Sequence, residues 1–191
     1  MTCKTLGIAI FCLCLYPVNT LAEQPVEGAF GILFGEKLDV SDLEQLDFDD
    51  KYGPEYAFTP SSPYKPLTKY SVFVSPISNQ VYKIKATGQL KTKKKCLAEL
   101  ELLEQLLSRK YYKTSQKISK KFGDIPRISF GRLPRKAEGT CTSTIFKVTL
   151  TIRYYDKDLE KQARLETREF TNKTAAQPKP ELGHDRDISG L

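Results

Sequence analysis

The sequence predicts an α+β domain in which an antiparallel sheet of about five or six strands packs on one main amphipathic helix. Two observations predict this fold class. Leucines recur at three- and four-residue steps across residues 96–112, which is typical of an amphipathic helix. Apolar and polar side chains alternate across residues 145–155, which is typical of a half-buried strand. The helix needs an apolar surface to cover its leucines, and a sheet containing this strand would provide one.

The N-terminal segment, residues 1–22, is predicted to be a secretory signal peptide. A short basic start that ends at Lys4 precedes a mostly apolar run, and Ala22 closes a group of small residues of the kind that a signal peptidase recognises. The apolar run is shorter than the roughly 20 residues that a membrane-spanning helix needs. We therefore expect a periplasmic or secreted protein with no transmembrane segment in the mature chain. Residues 23–170 are expected to form a single domain, and residues 171–191 a mobile polar tail.

The segment before the main helix predicts three further elements. Residues 29–35 are apolar and contain glycines, which predicts a first strand at an edge of the sheet. Residues 41–44 fit a capping box, which predicts a short helix over residues 42–46. Residues 70–74 and 81–86 are both strand-like and are separated by a loop containing proline, serine and asparagine, so they predict a hairpin.

The segment after the main helix predicts two strands and a second helix. Residues 127–132 predict a short strand, and residues 135–140 a loop that leads to Cys141. The long strand over residues 145–155 should place Phe146 on its apolar face together with the following alternate residues. A charged helix with a thin apolar stripe is predicted over residues 159–170.

The cysteines predict one structural disulfide. Loss of the signal peptide leaves Cys96 and Cys141 in the mature chain. A redox or nucleophilic role would require a Cys-x-x-Cys pair or a neighbouring histidine, and the single histidine of the chain, His184, falls in the predicted tail. We predict a Cys96–Cys141 bridge that joins the start of the helix to the long strand and stabilises the domain by about 4 kcal/mol.

An acidic segment raises the question of a metal site. Asp47, Asp49 and Asp50 invite comparison with a calcium loop, because Asp47 and Asp49 lie at alternate positions as the first ligands of such a loop do. Lys51 and Phe58 then occupy positions that should carry oxygen ligands, so the pattern favours a solvated acidic turn. No motif predicts a metal, a nucleotide or another cofactor, and we expect none.

Charge is unevenly distributed along the chain. Residues 23–66 carry ten acidic residues against three lysines, whereas residues 83–136 carry sixteen basic residues against four acidic ones. Lysines crowd the predicted helix start, where the helix dipole disfavours cations. Lys83 and Lys85 occupy alternate positions of the preceding strand and are expected to share one sheet face, with Tyr82 and Ile84 on the other. One basic surface for anions is predicted from Lys83, Lys85, Lys91, Lys93, Lys94 and Lys95.

The order of these elements resembles small uncharacterised exported proteins of Gram-negative bacteria. The resemblance rests on a hairpin, a cysteine-bearing helix, a second cysteine before a strand that ends Ile152-Arg153-Tyr154-Tyr155-Asp156, and a tail that ends Asp187-Ile188-Ser189-Gly190-Leu191. It implies a periplasmic location and a disulfide, and it implies no activity.

The function predicted from the sequence is that of a non-enzymatic binding or accessory protein of the cell envelope. Its partner would be an envelope protein or an anionic envelope component, and export argues against nucleic acid. The alternative is an envelope hydrolase that uses a pair of Asp or Glu side chains brought together by the fold.

Overall fold

Seven antiparallel strands form the main sheet in the computed structural model, which describes residues 24–114 and 125–175. The predicted signal peptide and residues 176–191 of the predicted tail lie outside the described residues. In chain order the elements are β1 (Gly28–Ala29), β2 (Ile32–Leu33), β3 (Gln45–Asp49), β4 (Gly53–Ala57), β5 (Lys69–Val74), β6 (Val81–Leu90), α1 (Lys93–Ser108), β7 (Arg127–Phe130), β8 (Arg135–Ser143), β9 (Val148–Asp156) and α2 (Lys157–Ala175).

The strand order in the sheet is β3-β4-β5-β6-β9-β8-β7, and every neighbouring pair is antiparallel. The α+β class and the hairpin of β5 and β6 are confirmed, whereas the sheet has more strands than the five or six expected. Residues 135–140 are not a loop but the first part of β8, which pairs with both β7 and β9. The charged, glycine-containing sequence of β8 has a low propensity for strand structure. Hydrogen bonding to a strand on each side stabilises it as a strand all the same.

Helix α1 covers one face of the sheet. Its buried side chains are Cys96, Leu100, Leu103 and Leu107, which form the predicted stripe at three- and four-residue steps. They join the main apolar core, which includes Ile84 and the inward residues of β9 and β8. The close packing depends on a residue without a side chain: a Cβ at Gly139 would lie 2.8 Å from Ile128 Cγ1 and 3.0 Å from Leu100 Cδ1. A larger residue there would force the side chains of Ile128 and Leu100 to shift.

The predicted disulfide is present. Cys96, in the first turn of α1, is bonded to Cys141 of β8, with 6.0 Å between their Cα atoms. Both cysteines are buried. The pairing of the two cysteines is as predicted, but Cys141 lies in β8, so the bridge fixes the start of α1 to the neighbour of the long strand β9 and not to that strand itself.

Helix α2 covers part of the opposite face. Asp156 begins it, since its Oδ1 accepts hydrogen bonds from the backbone N–H groups of Asp158 and Leu159 at 3.0 and 3.1 Å. Ala163 is fully buried against Phe73 and Tyr82 in a second apolar cluster. The helix ends at Ala175, so the first five residues of the predicted tail are helical.

Two predictions for the N-terminal part were wrong. The predicted first strand over residues 29–35 is instead part of a separate two-stranded hairpin, residues 28–33, whose turn contains Phe30 and Gly31 at positive φ. Residues 42–46 are not helical: a turn leads into β3, which pairs with β4. A helix of about one turn forms too few hydrogen bonds to offset the free-energy cost of nucleation, whereas β3 forms a series of backbone hydrogen bonds with β4.

Candidate functional site

Four exposed lysines mark the end of the sheet where β6 passes into α1. We call Lys91, Lys93, Lys94 and Lys95 the basic edge. Thr92 caps the helix, because its side chain accepts a hydrogen bond from the backbone N–H of Lys95 at 3.2 Å. The first turn contains no acidic residue. Among the ion pairs of residues 24–114 and 125–175, none includes a lysine of the basic edge.

The turn between β8 and β9 lies at the same end of the sheet. Leu90, the last residue of β6, pairs with Val148, which in turn pairs with Ser143. We call residues 144–147, which join those two strands, the tip. The backbone N–H of Thr144 donates a hydrogen bond to the Lys147 carbonyl oxygen at 2.8 Å, which connects the two ends of the tip. The tip and the basic edge are therefore neighbours in space although about fifty residues separate them in sequence.

The side chains of the tip are unusually exposed for their type. Ile145 is 93% exposed and Phe146 is 96% exposed. The prediction that Phe146 lies on the apolar face of the strand was wrong, because β9 begins only at Val148. Alternation along the sequence continues through the turn, and so it gave no sign that the strand would start later. The tip is a feature that sequence reasoning missed.

The other two predicted site lysines lie elsewhere. Lys83 is near the start of β6, about seven residues before its end at Leu90, so it lies roughly 23 Å from the basic edge at about 3.3 Å per residue. Lys83 and Lys85 also face the α2 side of the sheet, whereas α1 lies on the side of Ile84. The structure therefore does not bring all six lysines into one basic surface.

A register shift changes the surroundings of Lys83. The pairing of β5 with β6 slips between Phe73 and Val74, so alternation breaks at this point. Tyr82, expected on the face of Ile84, instead packs with Phe73 and Ala163 on the α2 side. Its hydroxyl donates a hydrogen bond to the carbonyl oxygen of Tyr52 at 2.8 Å.

Lys83 lies in a cleft of about 460 Å³ between the sheet and the start of α2. Its Nζ is 3.5 Å from the ring centroid of Phe73, a cation–π geometry. Burial lowers the pKa of Lys83 to about 8 from 10.5, and the charge of Lys85 adds to this effect while Glu160 and Glu55 oppose it. This amine is a partly desolvated cation, unlike the fully hydrated lysines of the basic edge.

The carboxylates of the cleft are largely engaged by neighbouring side chains. Glu55 forms an ion pair with Lys85 at 2.5 Å, and Glu138 accepts a hydrogen bond from the Tyr155 hydroxyl at 2.9 Å. Burial and this hydrogen bond raise the pKa of Tyr155. Contacts of this kind already occupy oxygen atoms that a general acid or base would need to present to a substrate. The arrangement gives no specific support to the hydrolase alternative.

The acidic segment does not assemble a metal site. Asp47 and Asp49 belong to β3, where Asp49 Oδ1 accepts hydrogen bonds from the backbone N–H groups of Lys51 and Tyr52 at 2.8 and 3.2 Å. Within the two described ranges, no group of three or more His, Cys, Asp or Glu side chains is placed to hold a metal ion.

No helix in the described part of the chain is long and apolar enough to cross a membrane. Comparisons of the chain with protein-family models, with curated proteins and with solved structures find no match.

Proposed function

We propose that this protein is an exported, non-enzymatic binding or accessory protein of the cell envelope, and that the basic edge contacts an anionic partner. The observation that supports the proposal is the arrangement of the four lysines of the edge, which are all exposed and form no ion pair within the described residues. Uncompensated cations grouped at one end of a sheet create a positive potential that attracts anions.

The position of the lysines also supports a binding role. Lys93, Lys94 and Lys95 occupy the first turn of α1, where the helix dipole makes cations unfavourable by a few tenths of a kcal/mol each. No ion pair of residues 24–114 and 125–175 offsets this cost, whereas an anionic partner would be attracted by both the lysine charges and the orientation of the helix. A local cost that no ion pair offsets is typical of a functional position.

The test measures binding of an inorganic polyphosphate chain, as a soluble anionic probe, to the wild-type protein and to the variant Lys93→Gln/Lys94→Gln/Lys95→Gln. We expect the affinity to fall by at least about tenfold in the variant, and to fall steeply for the wild type as salt is raised, because exposed charges are screened within about 8 Å at physiological ionic strength.

The matched control is Lys37→Gln/Lys161→Gln/Arg168→Gln, which removes the same charge from exposed positions away from the basic edge. This control should keep most of the affinity, because net charge alone contributes only a long-range, screened attraction. Equal losses in the two variants, or wild-type binding that does not respond to salt, would contradict a localised anion-binding surface.

A further inference from the structure

We infer that the tip and the basic edge form one docking surface for an anionic phospholipid bilayer, with the tip entering the interface and the lysines contacting the headgroups. This inference rests on the proposed function and deepens it, since it names the partner class. Three features of the described residues support it: the exposed apolar side chains of the tip, the charge that surrounds them, and the disulfide that holds the two parts together.

The apolar side chains of the tip have no role in folding that the structure shows. Ile145 and Phe146 are the two central residues of a short turn and are 93% and 96% exposed. Hairpin turns of this length favour asparagine, aspartate and glycine, whose side chains suit water and the turn geometry. Two large apolar side chains at this point add nothing to the core, but both would be removed from water if the tip entered a lipid interface.

The charge near the tip indicates which kind of partner its apolar side chains would enter. Lys147 belongs to the tip itself, and the basic edge follows directly from the strand that pairs with β9. Residues 143–148 contain no acidic side chain. An apolar projection with lysines beside it matches a surface that is apolar inside and anionic outside, which describes an acidic bilayer. A second copy of this chain fits less well, because two such surfaces would bring like charges together.

The disulfide keeps the two parts of this surface in register. Cys96 directly follows Lys95, and Cys141 lies two residues before the end of β8 at Ser143. The start of α1 is thereby fixed beside the base of the hairpin that carries the tip. A rigid surface binds more tightly than a flexible one of the same composition, because less conformational freedom is lost on binding.

The chain contains no tryptophan, which allows a direct test. The variant Phe146→Trp places one indole at the tip, where indole also suits a membrane interface. We expect its fluorescence to shift to shorter wavelength when vesicles containing phosphatidylglycerol are added, and to be quenched by lipids with brominated chains. Pure phosphatidylcholine vesicles should produce a much smaller effect. The matched control is Leu165→Trp, at a position that is 59% exposed on α2, and its emission should not respond.

A second set of variants separates this inference from the proposed function. Ile145→Ser/Phe146→Ser should bind phosphatidylglycerol vesicles at least about tenfold more weakly, because the apolar contribution is removed, and should bind polyphosphate as the wild type does. Lys93→Gln/Lys94→Gln/Lys95→Gln should lose on the order of 100-fold on vesicles, at about fivefold for each lysine, and should also lose polyphosphate binding.

Three outcomes would overturn the bilayer inference. They are wild-type vesicle affinity in the serine variant, an indole at position 146 that is not quenched by brominated lipids, and self-association through the tip with no vesicle binding. Each of these outcomes is compatible with the proposed function, provided that the triple lysine variant binds polyphosphate more weakly than the wild type. If Lys93→Gln/Lys94→Gln/Lys95→Gln bound both the vesicles and polyphosphate as the wild type does, the bilayer inference and the proposed function would both be overturned.

Discussion

At Lys83 an ammonium group lies against the ring of Phe73, in a cleft whose walls also carry Glu55, Glu160 and Arg153. Its surroundings were not predictable from the sequence. Alternation along β6 places Tyr82 with Ile84, and the register shift that moves Tyr82 to the side of Lys83 depends on how β5 pairs, which is a property of two strands. A single residue in a regular pattern can therefore be assigned to the wrong face when the neighbouring strand is unknown.

Replacing this lysine should stabilise the protein. Burial lowers the pKa of Lys83 to about 8, so the folded state disfavours its charge at neutral pH. Lys83→Met keeps most of the apolar stem and removes the charge. After allowance for partial exposure and for the loss of the contact with Phe73, we expect a gain on the order of 1 kcal/mol at pH 7, measured by urea unfolding. A loss of stability would show that the ring contact outweighs the desolvation.

The pH dependence provides an independent check. Below about pH 8 the amine is protonated in both states, and the cost of burying its charge is fully present. Between about pH 8 and 10 the unfolded state binds more protons than the folded state, so wild-type stability should rise with pH. Tyr82, whose pKa is raised by burial, opposes this rise above about pH 10, because tyrosine then ionises first in the unfolded state. The rise between pH 8 and 10 should be smaller in Lys83→Met.

At the scale of elements, the sequence predicted those with a strong local pattern. The leucine stripe of α1 and the hairpin of β5 and β6 are present as expected. β3, β4 and β8 were missed because aspartates, a glycine-proline pair and arginine-lysine residues give little strand signal, and only pairing with neighbours makes them strands. For the candidate site, the lysines were visible in the sequence, whereas their separation into two groups depended on topology.

The start of α1 permits a stability measurement as well as a binding one. Removing Lys93, Lys94 and Lys95 takes three cations away from the positive end of the helix dipole. The Lys→Gln triple variant should therefore be more stable than the wild type by up to about 1 kcal/mol in low salt, with the difference shrinking as salt is added. Thermal unfolding followed by circular dichroism measures it. Lower stability would mean that these side chains support the fold in a way their exposure does not suggest.

On the scale of the whole molecule, the uneven charge of the sequence becomes a separation in space. Asp49 and Asp50 lie at the turn that leads to Gly53. Gly53 is close to the carbonyl oxygen of Val74, and Val74 pairs with Val81 at the start of β6. The basic edge follows the other end of β6, about 30 Å away at 3.3 Å per residue. A molecule with this dipole would approach a negative surface with the basic edge first.

The disulfide should contribute substantially to the stability of the whole domain. Reduction of the wild type, or Cys96→Ser/Cys141→Ser, should lower the free energy of unfolding by about 4 kcal/mol, because the unfolded chain regains the freedom of the closed loop. Urea unfolding with and without a reductant measures the loss in the wild type, so the test does not require the variant to fold. The same midpoint under both conditions would contradict a stabilising bridge.

The position of the bridge also determines how the chain behaves when it is cut. The basic edge lies just before Cys96 and the tip lies just after Cys141, so both fall outside the covalent loop that the two cysteines close. A protease that cleaves once within that loop produces two fragments, one ending in the loop after the lysines and the other leading through Cys141 to the tip. The sulfur atoms still join these fragments, which separate only under reducing conditions.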